Sequence, residues 1–496
     1  MNTFVAKSSS EEKHSASHKK EPHTILKATM LLGSSSVVEM ILTIIRTKIL
    51  AMILGPAGIG LAGILNHIMA TVSIFFEMGT GTSATRSVAA TLPAQRRRIG
   101  RLLTVIILLG IVLGAVGAVS VFFAATPIAV VMFSDAGQAW LIQLLAVGVL
   151  FTVAGGIQRA FINGLRRYQD LARITIFSSL IGTVASIAIA WYYQFEGIIV
   201  YVIAVPLINS VITFYYVMKT RYLPAAVCYT TIKKETSAML KLGLPVMLSV
   251  LIDSAVILYV RGQVMNTLGL EAVGLFQVAW AITGIYVGFI LTAMMKEYYP
   301  RLTALVRSNT LTNTAVNQQM VIAIWLTTPL LLGVAALAPL MVTVLYSDEF
   351  LPIVDTLRWM ALGTVLKVMA WSMGFVWVAR GKGRYVIADS VLWSIVFVAG
   401  VALVIDYVGM TGIGWVYTAS FVFAVFYTYV FVRDISGFRL ERKAILESSI
   451  LVIGCIFCII ANRWLSLNTA FLFSGIVYCL MSVRALFSLY KIYKNH

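Results

Sequence analysis

Four basic side chains lie inside long apolar runs, where a bilayer would solvate them poorly: Arg46, Lys48, Arg261 and Lys367. A lysine or arginine at the centre of a membrane helix costs roughly 2.5–3.5 kcal/mol, so the set implies a wet cavity or an anionic ligand. Lys367 sits about midway between Asp355 and Arg380, too central for easy snorkelling. Arg261 precedes Gly269 by eight residues and Lys48 precedes Gly55 by seven. That is about 12 Å and about 10 Å of helix, so the two share a similar depth. Arg46 and Lys48 are two residues apart, about 200° on a helix, and cannot share a face. Lys48 is favoured, with Arg46 a close second. Cations at this depth suit a phosphate-bearing ligand; pairing with lipid or acidic neighbours is the competing reading.

The acids at membrane depth are Glu39, Glu77, Asp253 and Asp389. Glu39 is seven residues from Arg46 and Asp253 eight from Arg261, spacings of about 10 and about 12 Å that exclude a helix-local ion pair. Each acid must find a partner elsewhere or take up a proton. Glu39, Glu77 and Asp253 are therefore candidates for H+ or Na+ coupling, with counter-charge to the basic set as an equal alternative. His67, beside Asn66, reads as a hydrogen-bonded structural group. Cys455 and Cys458 have CxxC spacing but lie in an apolar run, which points to packing. No Walker A loop, HExxH or GxSxG motif occurs, so neither a catalytic nor a metal centre is expected.

The elements that hold these residues are membrane helices. Of 496 residues 60% are hydrophobic and only 12% charged, about half the charged share of a soluble domain. At about 20 apolar residues per span, the chain holds about 14 transmembrane helices. The apolar runs are continuous rather than alternating, which excludes an outer-membrane barrel. The expected fold is an all-α polytopic membrane protein. Its net charge of +18 is explained by loop topology, without nucleic acid. Thirty of the 38 Lys and Arg residues fall on alternate returns of the chain, and the opposite loops hold only Arg358 and Arg463. Both termini are then cytoplasmic and the number of spans even.

A duplication organises the spans. Leu54-Gly55-Pro56-Ala57-Gly58-Ile59-Gly60-Leu61 returns as Leu268-Gly269-Leu270-Glu271-Ala272-Val273-Gly274-Leu275, 214 residues later. Arg86 returns as Arg301, Ser134-Asp135 as Ser347-Asp348, and Gly164-Leu165-Arg166-Arg167-Tyr168 as Gly381-Lys382-Gly383-Arg384-Tyr385 at an offset of 217. The expected organisation is a disordered polar tail (1–24), a six-helix lobe (25–217), a cytoplasmic linker (218–242), a second six-helix lobe (243–432) and two additional helices with a short cytoplasmic C-terminus (433–496). An even number of spans per repeat makes the lobes parallel, around a central cavity suited to alternating access.

Three segments resemble the Wzx-type polysaccharide flippases of the multidrug/oligosaccharidyl-lipid/polysaccharide exporter superfamily. They are Lys48 to Leu61, Leu362 to Tyr385, and Tyr299-Pro300-Arg301-Leu302. The resemblance spans the first twelve helices and is nearest the enterobacterial-common-antigen branch. It implies a V-shaped cavity between lobes and a bacterial inner-membrane location. The implied substrate is an undecaprenyl-pyrophosphate-linked oligosaccharide carried to the periplasmic leaflet, with no cofactor beyond a coupling H+ or Na+. A polysaccharide polymerase and chain-length machinery are the implied partners. Lys48, Arg261 and Lys367 fall where such translocases carry cavity cations, with Arg46 and Arg86 beside them. Asn66, Gln143 and Gln277, with nearby Trp and Tyr side chains, would meet the sugars. Glu39 and Asp253 depart from the pattern, as does the long tail. A peptidoglycan-precursor flippase and an ion-coupled multidrug exporter are the alternatives within the superfamily; the basic cavity set argues against the exporter.

Overall fold

Apolar runs this long can satisfy their backbone polar groups in lipid only by coiling, so helix follows helix along the chain. The computed structural model describes residues 5–91, 95–220, 222, 224–465 and 467–494. In chain order the helices are α1 (Val5–Glu77), α2 (Thr80–Ala89), α3 (Arg96–Phe123), α4 (Ala125–Phe133), α5 (Ala139–Gly164), α6 (Tyr168–Tyr193), α7 (Gly197–Met218) and α8 (Tyr229–Leu268). There follow α9 (Leu270–Trp280), α10 (Tyr286–Leu305), α11 (Asn309–Leu345), α12 (Val354–Ala379), α13 (Gly383–Val408), α14 (Met410–Ser436), α15 (Arg442–Trp464) and α16 (Leu467–Lys494). Among the described residues there is no strand. Ten stretches of them are long and apolar enough to cross a membrane, one of which, Tyr168–Met218, holds both α6 and α7. The remaining expected spans are the two arms of α1 and the apolar part of α8, the helices that carry Arg46, Lys48, Asp253 and Arg261.

Two boundaries differ from expectation. The stretch expected as a polar tail is helical from Val5, and residues 1–4 lie outside the described residues. The 218–242 linker is shortened because α8 begins at Tyr229: the helix runs on through polar residues before its apolar part.

Backbone punctuation repeats along with the motifs. Gly55 breaks α1 with φ 63° and ψ −171°, a conformation open essentially to glycine alone. Gly269 adopts φ 89° and ψ 177° between α8 and α9. Arg166 and Gly381, 215 residues apart, both turn left-handed, with φ of 55° and 67°. Each opens the same helix cap: Arg167 N donates to Ile162 O at 3.3 Å, and Lys382 N to Trp377 O at 2.9 Å. Gln194 and Gly409, again 215 apart, match in φ and ψ at 50°, −133° and 67°, −142°. The offset of 217 read between Gly164 and Gly381 is therefore two residues out. Matching glycine to glycine missed that Arg166 supplies the left-handed residue in the first repeat.

Packing groups the chain into two units, one of residues 1–50, 72–125 and 139–247, the other of 51–71, 126–138 and 248–496. In the first, α3 packs on α5, α5 on α7 and α7 on α6, with Gly114 of α3 against Leu150 of α5. In the second, α12 lies on α14 and α11, and α15 and α16 cover α11. Buried Arg358 ties these helices together, donating to Ala335 O at 3.3 Å, Asp355 Oδ1 at 3.2 Å and Asn462 Oδ1 at 2.8 Å. Cys455 and Cys458 are free and buried beside Leu332 and Leu451, as packing groups.

The closest helix crossing in the second unit joins the two repeats. A Cβ on Gly60 would collide with Leu270 O and Gly274, and one on Gly274 with Pro56 O and Gly60. Both pairs are 214 residues apart, so the contact is reciprocal. Overpacking of this kind costs about 1–3 kcal/mol. Gly60→Ala and Gly274→Ala are expected to lower the thermal midpoint of the detergent-purified protein by several degrees. Gly475→Ala, with nothing within 4 Å, is expected to leave it unchanged, and equal midpoints for all three would refute the crossing.

Candidate functional site

In the first unit the polar groups at membrane depth gather around α1. Arg46 is half-buried and interacts electrostatically with Tyr201 of α7 and Glu39 of its own helix. Arg159 of α5 interacts with the same carboxylate and donates to Asn209 Oδ1 of α7 at 3.4 Å. Two guanidiniums thus share one acid. Tyr201 is 5% exposed, and its hydroxyl and Arg159 Nε are buried without a hydrogen-bond partner. Such donors are costly to leave unmet.

The sequence offers little signal for Arg159, which stands near the end of an apolar run that α5 carries on to Gly164. Asn209, a lone amide in an apolar run, was the available signal. Arg46, rather than the favoured Lys48, joins this cluster. Lys48 is half-buried on α1 and has an interaction of its own.

Arg261 of α8 belongs to the second unit and is 3% exposed. Its Nε and Nη1 have no hydrogen-bond partner, nor has Gln277 Oε1 of α9. Gly63 makes room for both: a Cβ there would stand 2.9 Å from Nη1 and 3.2 Å from Oε1. His67 lies within electrostatic range of Arg261. It acts as expected, Nε2 donating to Ser254 O at 2.9 Å, while Thr71 and Ser254 share a hydroxyl bond of 2.7 Å.

The same unit contains a cavity of about 440 Å³ among α8, α9, α12, α13 and α14. Lys367 lines it and is held by aromatic and acidic neighbours: its Nζ stands 5.8 Å from the centre of the Phe421 ring, and Asp253 interacts with it electrostatically. Ser390 lines the cavity beside Asp253. Asp389 accepts from the Tyr427 hydroxyl at 2.7 Å. Trp280, Trp371, Trp377 and Trp393 add four indoles to the wall. Trp371 is fixed edge-on to Phe375, with ring centres 4.8 Å apart, and Trp393 is stacked on Phe397 at 5.0 Å. Lys367 and Asp253 therefore line the same cavity, within electrostatic range of each other.

The other candidates stand apart. Arg86 of α2 is exposed and lines a cavity of about 220 Å³ with Arg98 and Glu235. Glu77 of α1 rests its carboxylate against Gly156 of α5, with no ion pair among the described residues. Asn66 bonds to Ala62 O of its own helix at 2.8 Å, and Gln143 is half-buried on α5. Among the described residues no three His, Cys, Asp or Glu side chains could hold a metal ion.

The duplicated membrane helices have the fold of solved membrane transporters. An inward-facing multidrug resistance MATE family transporter of the MOP superfamily is similar at a TM-score of 0.63 and 17% identity, over 80% of this chain and 96% of that one. The lipid II flippase MurJ, in an inward closed conformation, is similar at 0.68 and 11% identity, over 93% and 99%. A family model described as polysaccharide biosynthesis protein matches residues 49–355, and the chain belongs to that family. A lipid III flippase of Escherichia coli (strain K12) is 22% identical over 414 residues, 80% of this chain and 96% of that protein. The chain is a multi-pass membrane protein of that family.

Glu39 is the carboxylate whose charge acts on both Arg46 and Arg159. Glu39→Gln is therefore expected to raise affinity for inorganic pyrophosphate about tenfold, a difference of about 1.4 kcal/mol. Isothermal titration of wild type and variant in detergent checks it, and equal affinities would show that Glu39 does not compete for the site.

Proposed function

We propose that the protein is a flippase that moves an undecaprenyl-pyrophosphate-linked oligosaccharide from the cytoplasmic to the outer leaflet of a bacterial inner membrane. The product would feed surface polysaccharide assembly, by a polymerase and its chain-length machinery. The observation that carries the reading is the set of guanidiniums at membrane depth with unmet donors: Arg261 Nε and Nη1, and Arg159 Nε. A diphosphate brings the acceptor oxygens that these groups lack and that lipid tails cannot supply. Membership of the polysaccharide biosynthesis family supports the substrate class, as do two similar proteins named as lipid flippases. The Lys and Arg bias of alternate loops supports cytoplasmic termini. On this reading Arg46 and Arg159 in the first unit, and separately Arg261 in the second, are candidate phosphate-binding groups, and alternating access turns the substrate across while the polyprenyl chain stays in lipid. Lys48 and Arg86 are further cations along the route.

One observation favours a second reading. The cavity in the second unit has two carboxylates, one lysine and four indoles, a composition that also suits an organic cation. An exporter of such cations is the rival.

Reconstitution into proteoliposomes separates the two. Wild type is expected to move an undecaprenyl-pyrophosphate-linked oligosaccharide between leaflets. Arg46→Ala, Arg159→Ala and Arg261→Ala are each expected to slow it tenfold or more while retaining a wild-type elution profile. Movement of tetraphenylphosphonium without movement of the lipid would establish the exporter instead.

A further inference from the structure

We propose that the cavity of the second unit is a sugar subsite whose charge admits a neutral or aminated ring and rejects a uronate; this rests on the flippase reading above. At about 440 Å³ it falls in the size range of small-ligand sites, roughly 300–1,000 Å³. Two features of its wall match a pyranose. The indole faces, fixed by their ring contacts, suit the apolar C–H face of a sugar ring. The polar groups are mainly acceptors: Asp253, and Asp389 with Oδ1 taken by Tyr427 and Oδ2 unbonded among the described residues. These would receive hydroxyl or ammonium donors. Trp393 Nε1, buried with no partner, is the donor left for a ring or hydroxyl oxygen.

The balance of charge gives the selectivity. Two carboxylates face one ammonium, and Lys367 is already engaged by Asp253 and the Phe421 ring. A third carboxylate entering with the ligand would meet like charge in a poorly solvated space, and like-charge juxtaposition is the strongest way a site rejects a wrong ligand. A diphosphate is refused on the same ground, which places the phosphates with the guanidiniums and the sugar with the indoles. The cavity also lies along the half of α12 nearest the basic 380–384 turn. That is the end expected to face the cytoplasm, where the glycan is assembled on this reading.

The test titrates detergent-purified protein with three methyl glycosides and reads tryptophan fluorescence: an N-acetylglucosaminide, a glucosaminide and a glucuronide. The first two are expected to give saturable changes, with the glucuronide at least tenfold weaker. The double variant Asp253→Asn/Asp389→Asn is expected to bring the three within about threefold. Lys367→Met, which leaves both carboxylates, is expected to widen the preference for the glucosaminide and serves if the double variant does not fold. Glucuronide binding as tight as that of the others overturns the proposal, as does a response to tetraphenylphosphonium with none to any sugar. Vesicle transport keeps the two readings distinct. If wild type and the double variant move neutral and uronate-bearing lipids in the same ratio, the subsite falls and the flippase stands. If wild type moves neither lipid, the flippase reading falls, and the fluorescence selectivity judges the cavity separately.

Discussion

A guanidinium cannot be left bare in hydrocarbon, and much of this structure follows from where that cost is met. Arg358 is buried and fully engaged, spending its donors on Ala335, Asp355 and Asn462 to bind α11, α12 and α15 together. Arg261 is more deeply buried yet keeps Nε and Nη1 unmet beside an equally unmet Gln277 Oε1. The first is a structural tie. The second is strain held at a site, of the kind expected where a ligand or a second conformation completes the bonding.

The acids divide in the same way. Glu39, exposed on α1, acts electrostatically on Arg46 and Arg159. Asp253 and Asp389 form a small acidic pair moderated by Lys367, Ser390 and Tyr427. Glu77 has only the open flank of Gly156. These are three electrostatic settings, so the carboxylates that looked alike as coupling candidates are chemically distinct.

Glycine makes the duplicated frame workable. Gly55 and Gly269 take a conformation barred to other residues, and Gly60 and Gly274 let two backbones meet without side chains between them. The first repeat uses Arg166 and Gln194 where the second uses Gly381 and Gly409. Local backbone geometry has thus outlasted residue identity. Small residues at crossings let membrane helices approach closely, which hydrophobic burial alone does not achieve in lipid.

Local chemistry made most of the fold legible in the amino-acid sequence. Continuous apolar runs must become membrane helices, and loop charge sets their expected order across the bilayer. The Gly55 and Gly269 motifs mark the repeat because a forbidden backbone angle demands glycine at each. The depth of Arg261 and Lys367 could be read from helix rise alone. The partners of those residues could not be read, because they come from helices remote in sequence. Arg159 reaches Asn209 only because α5 lies on α7. Lys367 and Asp253 share a cavity only because α8 and α12 both border it, and four indoles line that cavity only where α9, α12 and α13 converge. Helical periodicity fixes direction around one axis, whereas the rotation and offset of one helix against another are set by side-chain packing. That tertiary choice separated the cations with unmet donors from the lysine already paired.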